Sequence, residues 1–343
     1  MTSSDPLPAP FTVSPLAPGD EEALRTWWEV EHASVTAQDP TAPHRTLEAL
    51  RATRDAWGEF EDGVLLAAHD EDGTMVGVAE LCWPLTDNTH LVEFDVHVLP
   101  AHRRRGAGRV LWEEMARRTR ELGRTTIAGE VTTPAGGDAP GVGFTEALGV
   151  RTVLVEDHLA LPLPVDPAHL ERLGQEALAA AAGYDVVTWT DRCPDDLVDA
   201  FCTMRTRMNQ DVPTGDADVE AVVVTPERLR REEDRRRAAS YTTITAAARR
   251  VEDGTMAGYT VLVLQPGEQS AYQGDTLVMP EHRGRRLGTL LKLTTIEVVA
   301  EEHPERTSVH TWVATDNAPM QAVNRAFGFV LVDREHVVEA RVD

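Results

Sequence analysis

LVEFDVHVLPAHRRRGAGRVLWEEMARRTRELG, residues 91–123, runs from an alternating segment through a cluster of arginines and glycines into an amphipathic one. Val92, Phe94, Val96 and Val98 alternate with Glu93, Asp95 and His97, the period of a strand with one apolar face. After Gly108 the spacing predicts a helix, so the cluster sits at a strand-to-helix junction. A helix N-terminus presents unpaired N–H groups and the positive end of the helix dipole; it attracts phosphate, and glycine lets phosphate approach the backbone. Flanking arginines add bidentate donors for phosphate oxygens. The ligand expected here is a phosphorylated cofactor. The chain holds neither G-x-x-x-x-G-K-[ST] nor a strand-linked G-x-G-x-x-G, which excludes the usual nucleotide loops.

The same arrangement recurs further along. Asp72-Gly73-Thr74-Met75-Val76-Gly77 returns 181 residues later as Asp253-Gly254-Thr255-Met256-Ala257-Gly258. Val98-Leu99-Pro100-Ala101-His102-Arg103 returns after 180 residues as Val278-Met279-Pro280-Glu281-His282-Arg283. Asp138-Ala139-Pro140 and Ala147-Leu148-Gly149-Val150 find Asn317-Ala318-Pro319 and Ala326-Phe327-Gly328-Phe329, both 179 residues on. Four anchors in one order describe an internal duplication. The 343-residue length agrees, since one domain usually runs ~100–200 residues. Residues 1–163 and 185–343 are the expected halves. Residues 164–184 join them, with prolines followed by an Ala/Leu/Glu-rich stretch that predicts a connecting helix ending near Gly183.

Each half reads as helix, hairpin, strand, loop, helix, strand and late helix. Residues 20–35 and 195–209 have helical spacing, and GVLLAAHDEDGTMVGVAELCW and TTITAAARRVEDGTMAGYTVLVL read as hairpins around acidic glycine turns. PERLRREEDRRR, residues 226–237, reads as a solvated helix, and residues 208–216 as a polar loop able to face a substrate.

A net charge of −24 argues against nucleic acid or an anionic membrane surface as partner and is compatible with a cationic substrate. Lys292 is the only lysine, so the basic side is almost entirely arginine. Cys82, Cys193 and Cys202 lack metal-ligand spacing and read as reduced thiols, so no metal site is expected. MTSSDPLPAP lacks the features of a signal peptide and no stretch approaches a membrane span; the expectation is a cytoplasmic protein, monomer or homodimer.

Arg103-Arg104-Arg105-Gly106-Ala107-Gly108 matches the R/Q-x-x-G-x-G/A signature of the GNAT superfamily of N-acetyltransferases, and the order of elements resembles that family in both halves. The resemblance implies an α+β fold of two tandem GNAT-like domains, each a mixed, mostly antiparallel sheet flanked by helices. It implies acetyl-CoA as co-substrate. Cofactor contacts carry over to Val98, the loop with Arg109, then Val278, Met279, Arg283-Gly284-Arg285-Arg286-Leu287-Gly288-Thr289, and Asn317. The strand valines would polarise the acyl carbonyl through a backbone amide. The implied activity is transfer of acetyl to a primary amine of a small molecule resembling an aminoglycoside, a polyamine or a mycothiol precursor. A non-catalytic acyl-CoA sensor is the alternative.

Departures from the pattern bear on the chemistry. Arg286 stands where the signature has glycine, with a guanidinium that could meet phosphate instead. The family's acid tyrosine is replaced by Thr145 and Asn324, and of these Asn324 is the remaining catalytic candidate. Glu93 resembles the family's strand glutamate; at constant offset its match in the second copy is Gln273, which leaves Asp275 as the acid of that strand. Glu93 and Asp275 are the candidate bases. Asp138 occupies the position of Asn317 in the first half.

Overall fold

The computed structural model describes residues 11–37, 44–58, 61–137 and 140–342. The N-terminal MTSSDPLPAP segment and Asp138-Ala139 lie outside the described residues. The first half comprises β1 (Thr12–Pro15), α1 (Glu21–Thr36), α2 (Leu47–Asp55), β2 (Glu61–His69), β3 (Met75–Pro84), β4 (Leu91–Val98), α3 (Ala107–Glu121), β5 (Thr126–Pro134), α4 (Pro140–Ala147) and β6 (Arg151–Pro162). The connecting helix is α5 (Pro167–Ala180). The second half repeats the order as β7 (Tyr184–Thr190), α6 (Val198–Asp211), α7 (Pro226–Ala238), β8 (Thr242–Arg250), β9 (Met256–Leu264), β10 (Ser270–Val278), α8 (Leu287–Glu302), β11 (Ser308–Ala314), α9 (Ala318–Phe327) and β12 (Val330–Arg341).

Local chemistry explains most boundaries. The side chains of Asp20, Thr46 and Thr225 accept from N–H groups in the first turns of α1, α2 and α7. Asp166 with Pro167 starts α5, and Gly328, at φ 96°, closes α9. A helix-first reading of each half needs correction: the edge strands β1 and β7 precede α1 and α6. Both are short or only partly buried, which weakens their alternation. The basic helix α7 is solvated on one side only, because Leu229 and Glu233 are buried.

The two expected sheets are continuous. Strand order is β1-β2-β3-β4-β5-β12-β6-β11-β10-β9-β8-β7. The last strand of each half pairs with the other half's penultimate one, β12 with β5 and β6 with β11, while β6 and β12 run antiparallel at the centre. Glu156 and Glu335 face each other across that central pair; they are also repeat counterparts, so a pseudo-twofold axis passes between them. On one face α3 covers a core of Leu81, Val92, Phe94, Met115 and Ile127, and α8 covers Leu262, Ala271, Ile296 and Val309. On the other, α1 packs on β3 and β4, and α6 packs Phe201 against Tyr259.

The segment between α6 and α7 ties the halves together instead of facing an open substrate site. Asp216 N–H donates to Val153 O (3.0 Å), Glu220 N–H to Asn88 Oδ1 (2.6 Å), and the carbonyl of Asp218 meets His90 Nε2 (2.9 Å). Among the described residues no helix is long and apolar enough to cross a membrane, and the three cysteines are free.

Candidate active site

Both arginine/glycine loops form the same turn. Each passes through two left-handed residues: Arg104 (φ 61°) and Gly106 (φ 106°) in the first copy, Gly284 (φ 78°) and Arg286 (φ 53°) in the second. Each copy thus has glycine at one left-handed position and arginine at the other, so Arg286 reproduces the backbone that Gly106 supplies. The helical ladders begin with Val110 N–H to Gly106 O and Leu290 N–H to Arg286 O. The amides of Ala107, Gly108 and Arg109, and of Leu287, Gly288 and Thr289, therefore precede the ladder as available donors. The side chains of Ala107, Leu287 and Thr289 are buried and anchor the helices.

The arginines divide their roles. Arg103 Nε donates to Val98 O (2.9 Å) and Arg283 Nε to Val278 O (3.0 Å), which clamps each loop to the preceding strand. Arg103 also bonds Ser34, and Arg283 bonds Asp211, so neither guanidinium is held ready for phosphate. Arg286 pairs with Glu176 of α5, so its guanidinium already has a carboxylate partner. Arg104, Arg105 and Arg109 are exposed without a side-chain partner among the described residues, and Arg285 lies over the Tyr184 ring. Met279 N–H is taken by Ala257 O, and Asn317 caps α9 through Met320 N–H.

Beside each loop two parallel strands part. β4 and β5 pair only from Leu91–Thr126 to Phe94–Gly129, and β10 and β11 only from Ser270–Ser308 to Tyr272–His310. Beyond these points each pair opens into a seam. In the second half a bulge between Gln273 and Thr276 shifts the register by one. Glu93 pairs with Cys82 and Tyr272 with Val263, the repeat counterpart of Cys82; Phe94 and Gln273 pair with Leu81 and Leu262. The structural match of Glu93 is therefore Tyr272, and that of Phe94 is Gln273. The constant-offset match of Glu93 with Gln273 fails because the bulge adds a residue.

On the α3/α8 face the two seams differ. In the first half, a Cβ on Gly108 would stand 3.1 Å from the Phe144 ring, and Phe94 meets Trp112 edge-on at 5.5 Å. Phe144 thus lies against the start of α3. In the second half, a Cβ on Gly288 would meet only methyl groups at 3.8 and 3.9 Å. The positions of Phe94, Trp112 and Thr145 are there held by Gln273, Lys292 and Asn324. Lys292 Nζ donates to Asn324 Oδ1 at 2.8 Å. Gln273 Oε1 and Asn324 Nδ2 are buried without partners. A seam beside an open helix start, lined by unsatisfied polar atoms, suits an elongated ligand with a phosphorylated end and amide groups, as acetyl-CoA has.

The opposite face carries the acids. Glu93, Asp95 and His97 lie on β4; His97 Nε2 meets Asp95 Oδ2 at 2.9 Å. Burial disfavours the imidazolium, but the Asp95 charge outweighs it and raises the His97 pKa. Partial desolvation and the like charge of Glu61 raise that of Glu93. Glu31 approaches Asp95 and His97, yet Arg45 already bridges Glu31 and Glu80. Glu130 of β5, Glu335 of β12 and Glu156 of β6 continue the row. Desolvation, then repulsion from Glu130, Glu156 and Asp333, pushes Glu335 up to about 8. Further along, Asp333, His158, His310 and Ser308 form a hydrogen-bonded chain (3.0, 2.8 and 2.9 Å), with Trp312 stacked on His158. Asp275, beside the bulge, accepts from Tyr259 OH at 2.8 Å.

Through the strand exchange, β12 flanks β5 on the edge away from the first seam, and β6 flanks β11 on the edge away from the second. His97, Lys292 and the Glu130/Glu335/Glu156 row were not singled out from sequence. The one signal for Lys292 was a solitary lysine inside an apolar helix.

No curated protein matches the sequence. Among solved structures, a tandem GNAT protein from the clavulanic acid biosynthesis pathway, determined without AcCoA, is 28% identical, with 97% of this chain and 99% of that one covered and a TM-score of 0.76. A GCN5-related N-acetyltransferase from Sphaerobacter thermophilus matches at 16% identity over 98% and 97% of the two chains, TM-score 0.67, a likeness of fold. The sequence profile of the acetyltransferase (GNAT) family matches residues 22–149 and again 208–329. The chain is a tandem member of the GNAT acetyltransferase family and an acyltransferase.

Proposed function

We propose that the protein transfers acetyl from acetyl-CoA to a primary amine of a small polycationic acceptor, with the thioester seated in the second half. The observation that carries this reading is the open start of α8, where a Cβ on Gly288 would meet only methyl groups, beside the point at which β10 and β11 part. The phosphates would meet the N–H groups of Leu287, Gly288 and Thr289 and the guanidinium of Arg285. The acyl end would lie in the seam, near the backbone of Val278, and the amine would approach from the opposite face. Acetyl-CoA supplies the activated acyl group; the protein must orient the amine and take its proton. Asp275, with one oxygen held by Tyr259, and Glu156 of the exchanged strand are the acceptors for that proton in the second half, as Glu93 is in the first. The working units would be residues 1–163 and 185–343, in a cytoplasmic monomer or homodimer.

The acceptor class follows from the row of carboxylates. Glu156, Glu335 and Glu130 occupy successive strands beyond β11 and, at the ~4.8 Å strand spacing, stand roughly 5, 10 and 15 Å from it. None forms an ion pair among the described residues, and the last two, Glu335 and Glu130, sit where a polyamine or aminoglycoside would place its remote charges. The test is thiol release from acetyl-CoA with spermidine, an aminoglycoside and a simple monoamine. Turnover should favour the polycations, and Glu335→Gln with Glu130→Gln should raise KM for them about tenfold while leaving the monoamine unchanged. Equal KM changes for all amines would overturn the acceptor class. A sensor is favoured by one observation, the absence of the acid tyrosine at Thr145 and Asn324; saturable acetyl-CoA binding without turnover of any amine would select it.

A further inference from the structure

We propose that Lys292, held in place by Asn324, is the proton donor for the thiolate released from a thioester bound in the second half. This rests on the reading of that half as the acyl-transfer site. Lys292 is the only lysine in the chain and one of its largest fully buried side chains. Among the described residues no charged group faces it: its Nζ meets Asn324 Oδ1 from α9 and lies 5.5 Å from the centre of the Phe329 ring. Burial alone shifts its ionisation, down to about 7. A buried amine with one hydrogen bond is costly, and a purely structural polar group would be fully satisfied.

Two neighbouring atoms also lack partners. Asn324, 0% exposed, leaves Nδ2 unbonded, and Gln273, 6% exposed, leaves Oε1 unbonded at the point where β10 and β11 part. The repeat provides the control. At the same three positions the first half has Trp112, Thr145 and Phe94, and Trp112 and Phe94 pack edge-on. Polar groups therefore replace a packed aromatic contact only in the half whose helix start is open.

The step balances. As the amine nitrogen bonds to the acyl carbon, the carbon–sulfur bond breaks and its electron pair goes to sulfur. The Lys292 ammonium gives that sulfur a proton, leaving a free thiol and a neutral lysine; the amine's proton goes to the carboxylate on the other face, and Lys292 regains its own from water. The developing thiolate itself favours the ammonium form of Lys292, so sulfur and lysine act as a coupled pair that shares one proton.

The test uses CoA itself and needs no acceptor. An ammonium beside sulfur stabilises bound thiolate, which the ultraviolet thiolate band reports across a pH titration. For the wild-type complex we expect an apparent thiol pKa at least one unit below that of free CoA, about fivefold more thiolate at pH 7.5. Lys292→Met should bind CoA with similar affinity and lose the shift, and Asn324→Leu should reduce it. A wild-type complex with the thiol of free CoA, or the same shift in Lys292→Met, would overturn the assignment. Failure of the wild type to bind CoA at all would remove the acyl-transfer reading beneath it.

Discussion

At Lys292 the cost of burial has a measurable sign. A lysine titrates near 10.4 when unfolded and near 7 here, so between those values the unfolded chain binds the extra proton. Stability then rises with pH from about 7 to about 10, and below about 7 the whole penalty stands. Lys292→Met should be the more stable protein at pH 7, and denaturant titrations should show its advantage shrinking as pH rises; an advantage independent of pH would contradict the assignment. Gly284 has nothing within 4 Å of a built Cβ, so its left-handed backbone alone resists substitution. Gly284→Ala should lose about 1–2 kcal/mol in the same measurement. The loop glycines were legible in sequence because their role is local. The Lys292–Asn324 contact was not, because it joins α8 to α9 across 32 residues of chain.

Between elements the decisive features are the clamp and the bulge. Arg283 ties the second loop to the β10 carbonyl of Val278, so Arg283→Met should loosen the start of α8 and weaken acetyl-CoA binding about tenfold. Arg103→Met, in the plugged half, should leave binding unchanged; equal losses would argue for a loaded first half. Strands, hairpins and the two helix starts could be read from periodicity and turn residues. The bulge after Gln273 had one local sign, Gly274 inside the strand, but a glycine does not say which residue leaves the ladder. That single residue moved the counterpart of Glu93 from Gln273 to Tyr272 and left only tertiary pairing to reveal it.

Across the whole molecule, the duplication was visible in four repeated anchors, whereas the exchange of β6 and β12 was not, because a final strand carries no mark of which half it will join. The exchange puts strands of both halves in one sheet, and calorimetric unfolding should show one cooperative transition; two separable transitions would contradict a shared sheet. Gly215→Ala probes the strap between them. A Cβ there would lie 2.1 Å from Val153 O on a left-handed backbone, and the loss should reach roughly 2–3 kcal/mol. The account's central claim is that acetyl-CoA occupies the second half. Its most direct test is calorimetric titration of the wild type, Gly288→Trp and Gly108→Trp with acetyl-CoA, each variant first checked for folding. The account predicts one site per chain, lost in Gly288→Trp and kept in Gly108→Trp. Binding that survives Gly288→Trp, or no binding by the wild type at millimolar acetyl-CoA, would contradict it.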